Sequence, residues 1–291
     1  MSIYKYLAAN RVQALDTATL RATQASALND PFELKPFFRT VFGMDDLNRV
    51  LDERASNDSI LDEVYAGLPD QVRSALSRAQ IRLLLEREDM QLVLNRTRQE
   101  VRTHIENMLP DFSERTRRML HDKLEHMVGI VSFTDDPQSQ LMWAHYASEH
   151  KGFVIEFDEA QPFFDQRRSA EDEFLHLRPV QYMPASHVHE SLGDLDGTAV
   201  LCVKQSDWAY ERELRLLVPV NPADQPEVNE PVHLIHFPRS CVQRVILGHR
   251  ASDTVESELR GILQRHAGYA NVEVWRASAD YSSGSIAINP D

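Results

Sequence analysis

Two glutamates two residues apart, Glu211 and Glu213, stand at the head of an apolar run, LRLLVP, with Trp208 and Tyr210 before them and Arg215 within it. On an extended chain that spacing puts both carboxylates and the guanidinium on one face. One reading is a carboxylate held on rigid structure, facing an aromatic-lined pocket. The other is a solvent-facing strand edge blunted by a Glu–Arg pair.

A second concentration of polar and aromatic side chains lies in residues 129–158, GIVSFTDDPQSQLMWAHYASEHKGFVIEFD. Its pattern predicts strand, helix, strand. Ile130, Val131 and Phe133 form a β-type run, and FVIEF forms another. Between them Asp136 suits an N-cap and Pro137 the first helical position. Lys151 suits the helix end and Gly152 a left-handed stop. Ser132, Thr134, Trp143, His145 and Tyr146 crowd this unit. Trp143 and Tyr146, three apart, are neighbours on a helix; they either line a pocket or pack a core. His145 and Glu149, four apart, also read as a surface pair.

The elements that must hold these residues come from both ends of the chain. Residues 2–7 read as a first strand carrying Tyr4 and Lys5, and a short helix and a strand or turn follow within 10–25. Asn29, Asp30 and Pro31 are a turn signal, and Asn29, Asp30 or Glu33 there either serve a plain turn or face a pocket. Later runs at 181–183, 233–237, 244–248 and 272–278 read as strands and 252–267 as a capped helix. The stretch 187–197 reads as a polar loop; His187 and His189 share a face if extended, without a third metal ligand indicated. The tail from Ser282 reads as loosely held.

Residues 44–128 differ in kind. Apolar residues recur at helical spacing, charge dominates between them, and about four helices are expected, the last opening at Ser113 after Pro110. The fold expected is therefore α+β: a core of residues 1–43 and 129–291, with 44–128 as a helical insertion packed on the same domain. That insertion is a candidate surface for a protein partner. His104, His121 and His126 on it read as surface residues, and no metal is expected there.

The chain of 291 residues is 42% hydrophobic and 26% charged, with a formal net charge of −14. Such a field opposes phosphate, so nucleic acid and anionic membranes are poor partners. Two cysteines, Cys202 and Cys241, are too few for a disulfide framework, and a cytoplasmic location is expected. No apolar run approaches membrane-spanning length, and no signal peptide is visible.

Several motifs together resemble a known bacterial family, the one catalogued as domain of unknown function 2971. They are NDPFE at 29–33, SFT followed by Asp136-Pro137, the run from LMWAHYA to HKGFVIEFD at 141–158, the pattern from Lys204 through Trp208 and Tyr210-Glu211 to Glu213 and Arg215, and RVILG at 244–248. That name carries no activity. A remoter similarity is to ADP-ribosyltransferases of the arginine-serine-glutamate type. These carry a basic residue on a first strand, a Ser-Thr-Ser strand followed by helix and strand, and a Glu-x-Glu opening an apolar strand. Here Tyr4-Lys5, Ser132-Phe133-Thr134 and Glu211-Arg212-Glu213 stand in that order; Lys5 replaces the expected Arg, and Phe133 interrupts the serine motif.

That similarity implies a split antiparallel or mixed β core and a nucleotide substrate, NAD. Glu213 would then stabilise an oxocarbenium-like transition state, and Glu211 would orient an acceptor or act as base. Lys5 would meet the pyrophosphate, Ser132 and Thr134 the nicotinamide ribose, and Trp143 or Tyr146 the nicotinamide ring. His145, Trp208, Tyr210, Arg215, Asn29 and Asp30 complete the candidate site. An NAD-consuming protein of this kind would suit a toxin or a phage-defence effector. Two rival readings stand beside it. One is a non-catalytic nucleotide- or protein-binding module using the aromatic pocket around Trp143 and Tyr146. The other is a metal-dependent hydrolase or nuclease using Asp30, Glu33, His145 and Glu213.

Overall fold

The computed structural model describes residues 1–24, 27–30, 38–54, 57–184, 189–194, 197–220 and 233–291. Glu33 and His187 lie outside them, as does the side chain of His189. The chain divides into two compact units, one of residues 1–35, 121–187 and 197–291, the other of 36–120 and 188–196.

In chain order the strands are β1 Ser2–Leu7, β2 Thr19–Ala22, β3 Phe38–Thr40, β4 Val128–Thr134, β5 Phe153–Asp158, β6 Leu177–Pro179 and β7 Gln181–Met183, then β8 His189–Ser191, β9 Val203–Gln205, β10 Glu213–Pro219, β11 His233–His236, β12 Val242–Leu247, β13 Glu273–Asp280 and β14 Ser285–Pro290. The α-helices are α1 Gln13–Asp16, α2 Met44–Arg54, α3 Asn57–Gly67, α4 Asp70–Ala75, α5 Arg78–Leu85, α6 Glu88–Met127, α7 Gln140–Tyr146 and α8 Asp253–Arg265.

The first unit is α+β. Its main sheet runs β14-β13-β12-β5-β1-β4-β10-β6. Only β12 and β13 pair in parallel, and α8 makes the crossover that such a pair needs. β5 is buried on both faces because its residues alternate between two cores. Phe153, Ile155 and Phe157 pack with Leu259 of α8 and Leu15 of α1. Val154 packs on the other face with Tyr6, Met142 and Trp143. β1 pairs with β5 from Ser2 to Leu7, yet it pairs with β4 at one position, Tyr4 opposite Thr134. The sheet is therefore loosest between β1 and β4.

The strand–helix–strand unit forms, with different ends from those its sequence suggests. Asp136 does not cap α7; its carboxylate accepts from the Gln138 amide at 2.8 Å, and Ser139 caps the helix. Two short polar residues compete for the same role, and the local turn takes the first. The helix stops at Tyr146, and the left-handed residues are Ser148, Glu149 and His150 (φ 48°, 53° and 68°) rather than Gly152. Gly152 serves close approach instead, since a Cβ there would lie 2.1 Å from the Leu7 carbonyl oxygen. The tail is also not loose: β14 pairs with β13 from Ser285 to Pro290.

The second unit is mainly helical, with a small core of Leu61, Ile81 and Leu85. Among the described residues five helices, α2 to α6, begin within 44–128, against about four expected. α6 continues through Pro110. Ser113 does not open a helix; its hydroxyl, fully buried, accepts from the Val41 amide at 3.1 Å next to β3. Part of the expected polar loop is strand, for β8 pairs in parallel with β3.

No described helix is long and apolar enough to cross a membrane. Among the described residues no three His, Cys, Asp or Glu side chains gather as metal ligands would.

Candidate functional site

β1, β4 and β10 lie side by side in the first unit, and their side chains meet at a cavity of about 230 Å³. Lys5 comes from β1, Ser132 from β4 and Glu213 from the first position of β10. Tyr146 closes the cavity from the last residue of α7, and Asn29 from a neighbouring loop.

Glu211 reaches the cavity by another route than expected. It is not on the strand. Residues Ser206–Glu211 form a 3₁₀ turn, Arg212 reverses it in a left-handed conformation (φ 45°), and β10 begins at Glu213. Both carboxylates nevertheless face one ammonium. Lys204 Nζ lies 2.6 Å from Glu211 and 3.4 Å from Glu213, and all three side chains are about 4% exposed. The solvent-facing reading of these glutamates fails on that burial.

Arg215 is fully buried and grips Glu213 with two N–H groups, each at 3.0 Å. Its third arm donates to the Leu201 carbonyl at 2.5 Å. Burial lowers the Arg215 pKa to about 9, opposed by Asp30. Burial also raises Glu213, opposed by Lys204 and by a hydrogen bond from Ser132. The fork-shaped contact favours the ionised pair at neutral pH. Lys204 is pulled down by burial, but Glu213 and Glu211 outweigh that and its pKa is raised.

Tyr146 donates to the second oxygen of Glu211 and accepts from Asn29 at 2.5 Å. Lys5 is partly buried and donates to the Ser132 carbonyl at 2.6 Å. Burial lowers it to about 8, with Glu213 and Glu211 pulling upward. The cavity thus presents two carboxylates, two ammonium groups and tyrosine hydroxyls, with the Arg215 guanidinium behind them.

Of the residues singled out in the sequence, Tyr4, Lys5, Asn29, Ser132, Tyr146, Glu211 and Glu213 line the cavity. Arg215 and Asp30 stand behind it as a buried charge pair. The others serve different ends. Thr134 accepts from the Asp136 amide and shapes the turn before α7. Trp143 is not a pocket residue: it is fully buried, its indole donates to Pro137, and it meets Tyr6 edge-on. His145 is exposed and lies against Tyr210, so the metal-hydrolase grouping of His145 with Glu213 is not assembled. Trp208 roofs Lys204, its ring centre 4.9 Å from Nζ.

Lys204 and Tyr182 at the site were not among the residues singled out, and neither was Tyr6, which also lines the cavity. Lys204 heads the motif that ends at Arg215, and that position was its one signal. Tyr182, whose hydroxyl accepts from the Glu213 amide at 2.8 Å, left none, because β7 adjoins β9 only in the fold.

No curated protein and no solved structure matches the chain significantly. The stretch from α7 to β10 that carries Tyr146, Lys204 and both glutamates, residues 142–216, matches the family model described as Protein of unknown function (DUF2971).

Proposed function

We propose that this chain is an NAD-consuming enzyme of the ADP-ribosyltransferase kind, and that it is a member of the family whose model its residues 142–216 match. One observation carries the reading: Lys5, Ser132 and Glu213, from three adjacent strands, line the same cavity. A space of about 230 Å³ takes a nicotinamide ring and part of its ribose, with the adenosine half of the dinucleotide outside.

In this reading the bond between ribose C1′ and the nicotinamide nitrogen breaks heterolytically. Its electron pair leaves with nicotinamide and a cation develops on the ribose. The fixed carboxylate of Glu213 stabilises that charge where water is excluded. An acceptor oxygen or nitrogen then bonds to C1′ and gives up its proton, for which Glu211 is the nearby base. With water as acceptor the products are nicotinamide, ADP-ribose and a proton. Lys5 supplies the positive charge that the diphosphate needs.

A second reading has its own observation. Glu213 is already gripped by Arg215 and approached by Lys204, as suits a carboxylate that only shapes a nucleotide-binding pocket. That pocket would rest on Tyr4, Tyr6 and Tyr146 rather than on Trp143.

Nicotinamide release from NAD by the wild type and by Glu213→Gln separates the two. The enzyme reading expects release that falls by a factor on the order of 100 or more in the variant. The same change removes one partner of a buried ion pair and costs about 3 kcal/mol of stability, so the comparison is made below the variant's Tm. No release, together with an NAD-dependent rise in Tm, would leave the binding reading. Neither release nor a Tm shift would overturn the NAD reading and leave a binding pocket for another ligand.

A further inference from the structure

We propose that Lys204 is the positioning residue of this site: its single buried ammonium holds Glu211 and Glu213 together on the cavity wall and lets two carboxylates share that space. The catalytic consequence rests on the NAD reading above; the holding of the carboxylates does not.

The chain is built to bring this about. β9 carries Lys204 and pairs in parallel with β7, where Tyr182 stands opposite it. The 3₁₀ turn and the left-handed Arg212 then reverse the backbone, so residues seven and nine positions later both face Nζ. The hydroxyl of Tyr182 accepts from the Glu213 amide, which ties the start of β10 to the strand beside Lys204. Trp208 covers the ammonium from the turn itself.

An ion pair for folding alone does not require this arrangement. Arg215 already satisfies Glu213 with two hydrogen bonds. Glu211, by contrast, is met by Lys204 and by the neutral Tyr146 hydroxyl. Two like charges in one buried site drive uptake of a shared proton unless a cation lies between them. Lysine fits that place better than arginine: three rotatable donors on one nitrogen reach two carboxylates, whereas a planar fork favours one. The charged or titratable groups around Lys204 are Glu211, Glu213, Tyr182 and Tyr210, with Lys5 and Tyr146 across the cavity and Arg215 and Asp30 behind.

The test compares wild type, Lys204→Met and the double variant Lys204→Met/Glu211→Gln. Unfolding free energy is measured from pH 4.5 to 8, and nicotinamide release is followed over the same range. Without Lys204 the folded carboxylate pair retains a proton that the unfolded glutamates lose near their ordinary pKa. Stability of the single variant should then fall with rising pH, approaching a tenfold change in the unfolding constant per pH unit. The slope in the single variant should be steeper than in wild type or in the double variant, since in the double variant Glu213 keeps Arg215 and its like-charged neighbour is gone. If wild type releases nicotinamide, the acid limb of its kcat profile should move to higher pH in Lys204→Met.

The same pH dependence in the single variant as in wild type would overturn the proposal. If the single variant fails to fold but the double variant folds, the proposal stands. If the double variant also fails to fold, Lys204 is a packing element and the proposal falls. A clear slope in Lys204→Met, with no nicotinamide release by wild type, would keep the role of Lys204 and sink the NAD reading.

Discussion

The ammonium of Lys5 donates to the main-chain oxygen of Ser132 across 2.6 Å, beside the one position at which β1 pairs with β4. A side chain thus satisfies a carbonyl where the ladder between two central strands is shortest. The cation is thereby held in the cavity wall, and its desolvation leaves a trace in stability.

Burial lowers the Lys5 pKa from 10.5 to about 8. A lysine with a depressed folded pKa binds fewer protons folded than unfolded between those values, so its charge penalty is present below pH 8 and relieved as pH rises toward 10.5. The stability of wild type relative to Lys5→Met should therefore improve by on the order of 3 kcal/mol between pH 8 and 10.5. Denaturant unfolding of both proteins at pH 7 and 10.5 measures it. A constant difference would mean that Lys5 is not desolvated.

Tyr146 joins Asn29 to Glu211 through one hydroxyl. Tyr146→Phe should cost about 1 kcal/mol of stability, as for a single partly buried hydrogen bond. If the cavity is the reacting site, kcat should drop roughly tenfold, which corresponds to a hydrogen bond of about that strength. An unchanged kcat in a folded variant would remove Tyr146 from the machinery.

Trp143 belongs to the core beneath α7. Trp143→Ala should lose about 3–5 kcal/mol through the cavity it leaves. Trp143→Phe should fold, and if the protein turns over NAD it should keep the wild-type KM. A large rise in KM without loss of stability would return Trp143 to the pocket.

Two glycines should respond oppositely to alanine. At Gly152 the added Cβ meets the Leu7 carbonyl oxygen at 2.1 Å, so main chain must move. Gly152→Ala should destabilise by about 3 kcal/mol or more. Gly261 lies inside α8 with nothing within 4 Å of its Cβ position, and Gly261→Ala should gain up to about 1 kcal/mol. Thermal melts of the pair test the backbone contact between β1 and β5.

Local pattern was enough for much of this chain. Alternating apolar residues mark β1, β4, β5 and β10, because a strand buried on one or both faces leaves a period-two or continuous apolar record. Ser252 marks the start of α8, because a cap is a local hydrogen bond. The concentration of polar and aromatic residues marks Ser132, Tyr146, Glu211 and Glu213, which line one cavity.

Long-range pairing decided the rest. Nothing local distinguishes Trp143 in a core from Trp143 in a pocket, since both lie on the apolar side of α7. The spacing of Glu211 and Glu213 suggests one strand face, yet the left-handed Arg212 breaks the strand between them, and they converge only because β9 delivers Lys204 from below. Tyr182 acquires its place from the pairing of β7 with β9, and β14 from a hairpin with β13 at the edge of the sheet. The sequence by itself determined where polar and aromatic side chains concentrate along the chain and that the chain is α+β. The tertiary structure alone decided which of them share a cavity, because that depends on strand order and on the reversal at Arg212, neither of which residue spacing encodes.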